Sequence, residues 1–266
     1  MGELVKFDIK MNITAILALA YREIRDFWRN KTRVVTAFAQ SFMFLIIFSS
    51  GFAFISINIS GTSVDPRAFI ASGILAITIL FSGIFGGLGL MRDKMFGFMK
   101  ELIVTPVSRR TLMLGRTLGI SLQCVLQTMI VLIICILFGF FGYEWDLIWR
   151  VLLIVPIALL VSLGVVGLGL TISTRMKDFQ SFGLIQTFIV MPMFWLSGAM
   201  FAFNNVPPAM QIAMMLNPFT YSVDLFRANL LGVSFFPIWV DLLIGSLFGI
   251  ILIFIGAKSF NKMELS

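Results

Sequence analysis

The chain has 266 residues, 59% of them hydrophobic and 12% charged, with a formal net charge of +7 and a mean hydropathy of +1.01. A soluble domain carries about a quarter charged residues, so this chain cannot cover itself with polar surface in water and is read as an integral membrane protein. The absence of histidine excludes histidine-dependent catalysis and removes the commonest metal ligand.

The first eleven residues are mixed and polar, unlike the basic start of a signal peptide. Residues 12–30 carry an apolar stripe of Ile13, Ile16, Leu17, Ala20, Ile24, Phe27 and Trp28. Arg22, Glu23, Arg25, Asp26 and Arg29 fill the remaining face. That pattern predicts an interfacial helix, apolar side down. A first span is predicted over 34–57, long enough to cross a hydrocarbon core of about 30 Å with some tilt. A polar loop, 58–67, precedes a second span at 68–91.

Residues 92–116 form the longest charged interruption. Met95, Phe98, Met99, Leu102 and Ile103 recur at helical spacing, with Asp93, Lys94, Gly97, Lys100 and Glu101 opposite. Thr105-Pro106 breaks the pattern, because a proline disfavours a helical residue before it. A short amphipathic helix between spans, here 92–104, is suited to meet a cytosolic partner at the membrane face.

Spans follow at 117–141, 148–174 and 181–203, joined by tight turns at 142–147 and 175–180. The two cysteines, Cys124 and Cys135, lie within the first of these and read as packing residues. Residues 204–237 contain Pro207-Pro208, Asn217-Pro218, Asp224 and Arg227. An Asp or Arg at a span centre costs about 2.5–3.5 kcal/mol on insertion scales, so this stretch is not expected to cross. Asn217 is an N-cap with Pro218 at N1, and Gly232 is a helix terminator. Two short helices, 208–215 and 218–231, are expected on the outer face or dipping into it. The last span is 238–257.

Lys and Arg then set the orientation. Seven precede the first span, six lie in 92–116, two in 175–180 and two in the tail, leaving only Arg67, Arg150 and Arg227 opposite. Both termini are therefore expected in the cytoplasm. Trp145, Trp149 and Trp239 fall at the predicted outer boundary, and this topology accounts for the positive charge without nucleic acid. The expectation is an all-α polytopic membrane protein forming one transmembrane domain over 1–266. It has six transmembrane helices, the interfacial helix, a cytoplasmic coupling helix and short extracellular helices before the last span.

Glycines at 83 and 87, 115 and 119, and 245 and 249 have the small-xxx-small spacing that lets helices approach. Gly87-Leu88-Gly89-Leu90 recurs as Gly167-Leu168-Gly169-Leu170, a slight internal similarity. The chain contains no Gly-Lys dipeptide, so a phosphate-binding loop ending in Gly-Lys-Ser/Thr is absent. No cofactor is expected on this chain.

Glu101-Leu102-Ile103-Val104-Thr105-Pro106-Val107-Ser108-Arg109-Arg110 with Leu114-Gly115-Arg116 resembles the cytoplasmic loop of ATP-binding-cassette type 2 exporter permeases. The likeness is greatest to their multidrug, daunorubicin-resistance-like branch. Pro207-Pro208, Asn217-Pro218-Phe219-Thr220-Tyr221, Asp224, Arg227 and Leu231-Gly232 resemble that family's outer segment. The resemblance implies two copies of the permease, a homodimer of twelve spans in the plasma (inner) membrane of a prokaryote, in contact with membrane lipid. It also implies two cytosolic ABC ATPase subunits that bind ATP and Mg. Contacts to those ATPases fall on Arg92, Lys94, Lys100, Glu101, Thr105 and Arg109 of the loop and on Arg22 and Arg25 of the interfacial helix. The outer segment is marked by Asn217, Pro218, Asp224 and Arg227.

The implied substrate path is the seam between copies, along parts of spans one, two and five. Gln40, Phe44, Phe48 and Phe52 mark the first span, and Gln186, Met191, Phe194 and Trp195 the fifth. An uncharged Phe- and Met-rich wall suits an amphiphilic, drug-like or lipid-like substrate. The alternatives are export of a polysaccharide or lipid-linked glycan by the same machinery, an ion-coupled secondary transporter, and a scaffold subunit. The basic and aromatic signature of the polysaccharide branch is not found after the first helix. Ion coupling calls for carboxylates near mid-membrane, whereas Asp241 is predicted near the outer end of the last span.

Overall fold

The computed structural model describes residues 9–51, 57–59, 62–96, 108–143, 145–176 and 178–261. Helix α1 (Ile9–Arg29) leads after one residue into α2 (Lys31–Gly51), with a bend of 81° between their axes. A small antiparallel hairpin follows, β1 (Ile57–Ile59) against β2 (Thr62–Val64), pairing Ile57 with Val64 and Ile59 with Thr62. It replaces the loop expected at 58–67, and its β-branched residues suit an extended backbone. Then come α3 (Pro66–Met95), α4 (Arg109–Leu137) and α5 (Asp146–Arg175). A broken segment follows, made of α6 (Phe179–Ile185), a π-turn (Gln186–Val190) and α7 (Met191–Trp195). Helices α8 (Pro208–Leu216), α9 (Pro218–Leu231) and α10 (Ile238–Asn261) complete the order.

The protein is an all-α polytopic membrane protein. Among the described residues four helices, α3, α4, α5 and α10, are long and apolar enough to cross a bilayer, or five if α1 and α2 count as one bent segment. Helix α3 is central: it is predominantly apolar, and nearly every residue from Ala68 to Gly87 is buried, whereas the equally apolar α10 keeps most of its surface on the outside of the bundle. The Asp65 side chain caps it by accepting the Arg67 N–H at 2.8 Å, with Pro66 at N1. Helices α2, α4, α5 and α9 pack around it.

Glycines set how closely these helices approach. A Cβ at Gly87 would sit 2.5 Å from the Gly169 carbonyl oxygen, and one at Gly169 would meet the Gly83 oxygen at 2.9 Å. The two similar glycine-leucine stretches thus meet where α3 crosses α5. A Cβ at Gly119 would lie 2.8 Å from Ala20 Cα, so α1 lies directly on α4. The expectation that these glycines serve packing holds.

Several boundaries differ from the sequence reading. The second span continues without a break to Met95, so Arg92 and Lys94 belong to the last turn of α3 and not to a separate helix. The predicted remainder of that helix, from Gly97 onwards, lies outside the described residues. The fifth span was expected to run to Phe203, but its helix ends at Trp195. Pro192 supplies no N–H, and a π-turn absorbs the misfit just before it. Gly198 then adopts φ +73°, a left-handed conformation that a helix cannot continue through. The expected pair of outer helices appears as α8 and α9, with Asn217 accepting the Phe219 N–H at 3.1 Å and Gly232 at φ +69°.

The glycine crossing can be tested. Gly87→Ala should cost about 1–3 kcal/mol, as over-packing does. Gly183→Ala, whose Cβ meets nothing within 4 Å, should leave the melting temperature unchanged or slightly higher. Thermal unfolding of both variants in nanodiscs checks this.

Candidate functional site: an ionic junction and an adjoining cavity

The starts of α2 and α4 and the ends of α3, α5 and α10 share one end of the bundle, the basic end. Side-chain bonds tie its elements together. Arg116, early in α4, reaches Glu23 of α1 through Nε at 2.9 Å and Asp93 of α3 through its terminal nitrogen. Arg22 joins from the rim, 3.5 Å from Asp93 and 3.6 Å from Asp26. Arg116, Asp93 and Glu23 are all buried. Around them Thr111 Oγ1 donates to Asn12 Oδ1 at 3.2 Å, and Lys94 Nζ donates to the Met176 carbonyl at 3.2 Å. One cation thus holds the carboxylates of two other helices.

The sequence reading put Glu23 and Asp93 on solvent-facing sides. The structure corrects this: the polar sides of α1 and of the α3 terminus face α4, where Arg116 waits. Of the expected coupling residues, Arg25 and Arg92 are exposed, Lys94 is bonded to a backbone carbonyl, and Arg22 is engaged internally. Arg109 opens α4. Lys100, Glu101 and Thr105 fall outside the described residues.

Above the junction lies a cavity of about 600 Å³ between α2, α3 and α4. Asn30, Thr32 and Arg92 line its basic end, with Gln40 and Phe44 of α2, Phe81 and Phe85 of α3, and Gln123 and Gln127 of α4 further in. Ser41 and Thr78 share a hydrogen bond of 3.0 Å across the α2–α3 contact. Gln40 and Phe44 were expected on the substrate path; Gln123 and Gln127 were missed, although two amides four residues apart in an apolar run were a legible signal. Phe44 stacks on Phe194 at 5.9 Å and meets Phe48 at 5.7 Å, and Phe194 meets Trp195 at 4.8 Å. The residues expected on the path therefore converge where α2 meets the α6–α7 segment. Met191 packs against the core nearby, Gln186 opens the π-turn, and Phe52 lies outside the described residues.

At the opposite end α9 is buried from Phe219 to Arg227. Asn217, the N-cap just before α9 with Pro218 at N1, donates through Nδ2 to the Met193 carbonyl at 2.8 Å, and Asp224 Oδ2 accepts the N–H groups of Phe235 and Phe236 at 2.8 and 2.9 Å. Arg227 donates to the Gly198 carbonyl at 3.0 Å and covers the Phe69 ring at 3.8 Å. Asp241, in the first turn of α10, is wholly buried with neither carboxylate oxygen hydrogen-bonded, a burial its place in the sequence did not reveal. In the basic turn between α5 and α6, the Ser181 N–H and hydroxyl hold Asp178 below the usual carboxylate range.

Residues 14–231 match the ABC-2 type transporter family. The chain belongs to that family. Among its relatives are the transport permease ycf38 of Porphyra purpurea, 24% identical over 81% of this chain and 73% of the relative, and Nodulation protein J of Rhizobium leguminosarum bv. viciae, 24% identical over 64% of each. The inner membrane transport permease YadH of Escherichia coli K12 is 28% identical over 60% of this chain and 58% of its own. This ABC-2 permease is a transport subunit and not itself an enzyme. Its family implies association with ABC ATPase subunits and with membrane lipid. Among the described residues no group of three or more Cys, Asp or Glu could hold a metal ion.

Breaking a buried ion pair on one side costs about 3–5 kcal/mol, because the abandoned charges stay buried. Arg116→Met should destabilise the permease by that order, leaving Glu23 and Asp93 without a cation. The triple variant E23Q/D93N/R116M should recover most of the loss. Unfolding in nanodiscs for the single and triple variants measures both.

Proposed function

We propose that the chain is the membrane half of an ATP-driven exporter, working as two identical copies with two ABC ATPase subunits. It moves an amphiphilic, drug-like or lipid-like substrate outward across the plasma (inner) membrane of a prokaryote. The basic end faces the cytoplasm, with both termini, in accord with the distribution of Lys and Arg. In this reading the chain crosses six times: α2 and the broken α6–α7 segment cross alongside the four long helices. Energy comes from ATP and Mg on the partner, since this chain has no Gly-Lys dipeptide for a phosphate-binding loop.

The observation that carries the reading is the junction around Arg116. An ATPase pressing on 92–107 meets the end of the central helix, and the Asp93–Arg116–Glu23 set passes that displacement to α1 and α4 together. Arg92, Lys94, Lys100, Glu101, Thr105 and Arg109, with Arg22 and Arg25 on α1, are the proposed contacts, and Arg22 also braces the junction from its rim. The displaced elements wall the cavity, whose neighbours Phe44, Phe48, Phe194 and Trp195 lead toward the seam between copies. Asn217, Pro218, Asp224 and Arg227 hold the outer segment fixed while the basic end moves.

Glu101→Lys separates coupling from folding. An exposed ion pair contributes only about 0–1 kcal/mol, so the variant should purify as a dimer in normal yield. Substrate-stimulated ATP hydrolysis by the assembled complex should nevertheless fall. Full stimulation and transport in this variant would remove Glu101 from the coupling surface.

A further inference from the structure

We propose that the cavity between α2, α3 and α4 binds an amphiphile with an anionic head group, which Arg92 holds at the mouth while the chain runs inward among Phe85, Phe81 and Phe44. Among the described residues Arg92 is the one charged side chain that lines the cavity, and it stands at the basic end. The cations beside it are already engaged. Arg116 is held by Glu23 and Asp93, Arg22 pairs with Asp93 and Asp26, and Lys94 donates to the Met176 carbonyl. Arg92 is exposed, and its guanidinium makes no ion pair or hydrogen bond with another described residue. No described carboxylate lines the cavity to compete for it. Thr32, in the first turn of α2, adds a hydroxyl at the same mouth, where the positive end of the helix dipole also favours an anion.

Inward the character changes. Ser41 and Thr78 bond each other, Thr78 donates to the Ile74 carbonyl at 2.8 Å, and Ser82 donates to the Thr78 carbonyl at 2.6 Å. The carboxamide oxygens of Gln123 and Gln127 are buried out of a ligand's reach. Phe44, Phe81, Phe85 and Leu88 supply apolar faces. A charge carried deep would lose its water and find no partner, whereas an apolar chain gains by burial there. Arg92 and Phe81 lie about 16 Å apart along the axis of α3, so a head at the mouth and a tail among the rings are separated along the bundle. With the basic end toward the cytoplasm, that is the orientation of a lipid in the inner leaflet. A cationic head would meet Arg92 and no carboxylate, and a neutral one would leave the guanidinium without a counter-charge. The volume of about 600 Å³ lies within the range of small-molecule sites.

This inference rests on reading the chain as a permease that handles amphiphiles, yet binding can be measured apart from transport, and without the ATPase that Arg92 is also proposed to meet. The probes are oleyl phosphate, oleyl alcohol, which has the same chain without the charge, and inorganic phosphate, which is the head alone. Titration of the purified permease by native mass spectrometry should show oleyl phosphate bound at least about tenfold tighter than the alcohol, the factor expected of a charge-assisted hydrogen bond. Inorganic phosphate at equal concentration should not displace it. Arg92→Gln should erase the preference while keeping oleyl alcohol binding, and Arg92→Lys should retain most of it. Thr36→Trp, at an exposed lining position, narrows the cavity and should weaken both oleyl probes. Arg175→Gln, which removes an exposed arginine from the same end but outside the cavity, should change neither. Equal affinity for the two oleyl probes, a preference that survives Arg92→Gln, undiminished binding in Thr36→Trp, or displacement by inorganic phosphate would overturn the proposal. Oleyl phosphate that binds in this way without changing the ATPase rate of the wild-type complex would uphold the site and count against the exporter reading instead.

Discussion

Arg116 is the residue on which the basic end depends. Its guanidinium lies between a carboxylate from α1 and one from α3, in surroundings where charge interactions are far stronger than in water. Removing these groups from water is expensive, and only their mutual pairing offsets it. The arrangement is therefore close to all-or-none. Helix α1 would otherwise be an amphipathic helix free to slide in the interface; here Glu23, the close contact at Gly119 and the Asn12–Thr111 bond fix it to α4. Since Asp93 terminates the central helix, whatever displaces α1 also displaces α3.

The far end is held by different means. There the polar side chains engage backbone groups: Asp224 takes two N–H groups, Arg227 and Asn217 donate to carbonyls, and Arg150 donates to the Leu230 carbonyl at 2.7 Å. Backbone partners cannot be withdrawn by a rotamer change, so α9 becomes a rigid plug seated between α3, α5 and α10. Asp224 and Arg227 also pair with each other at 3.8 Å, so the far end combines an ion pair with backbone-anchored bonds, while the basic end relies mainly on ion pairs between helices.

Much of this was legible in the sequence. Asn217-Pro218 and Gly232 marked the limits of α9, because capping and a left-handed terminator are local chemistry. Glycine spacing located the close helix contacts for the same reason. What escaped was the partner of each polar side chain. Glu23 and Asp93 sit on faces that periodicity calls polar, and only the tertiary arrangement turns those faces toward Arg116. A lone Arg116 at the edge of an apolar run was the available clue. The helix break at Trp195 was also hidden, since residues 196–203 are apolar enough to extend a span. The left-handed Gly198 and its carbonyl, which Arg227 holds, end the helix through a long-range contact that no local window contains.

Tied through Arg116, α1, α4 and the end of α3 should move as one block. Spin labels at positions 21 and 114, both exposed, report on α1 and α4 in the assembled complex. Pulsed electron–electron resonance through the ATP cycle should give the same distance between them in the nucleotide-free, ATP-bound and post-hydrolysis states, while a label at position 21 paired with one at exposed position 239 on the opposite end should shift. A distance between 21 and 114 that changes with nucleotide would show α1 parting from α4, and the junction at Arg116 would then not be what carries the motion.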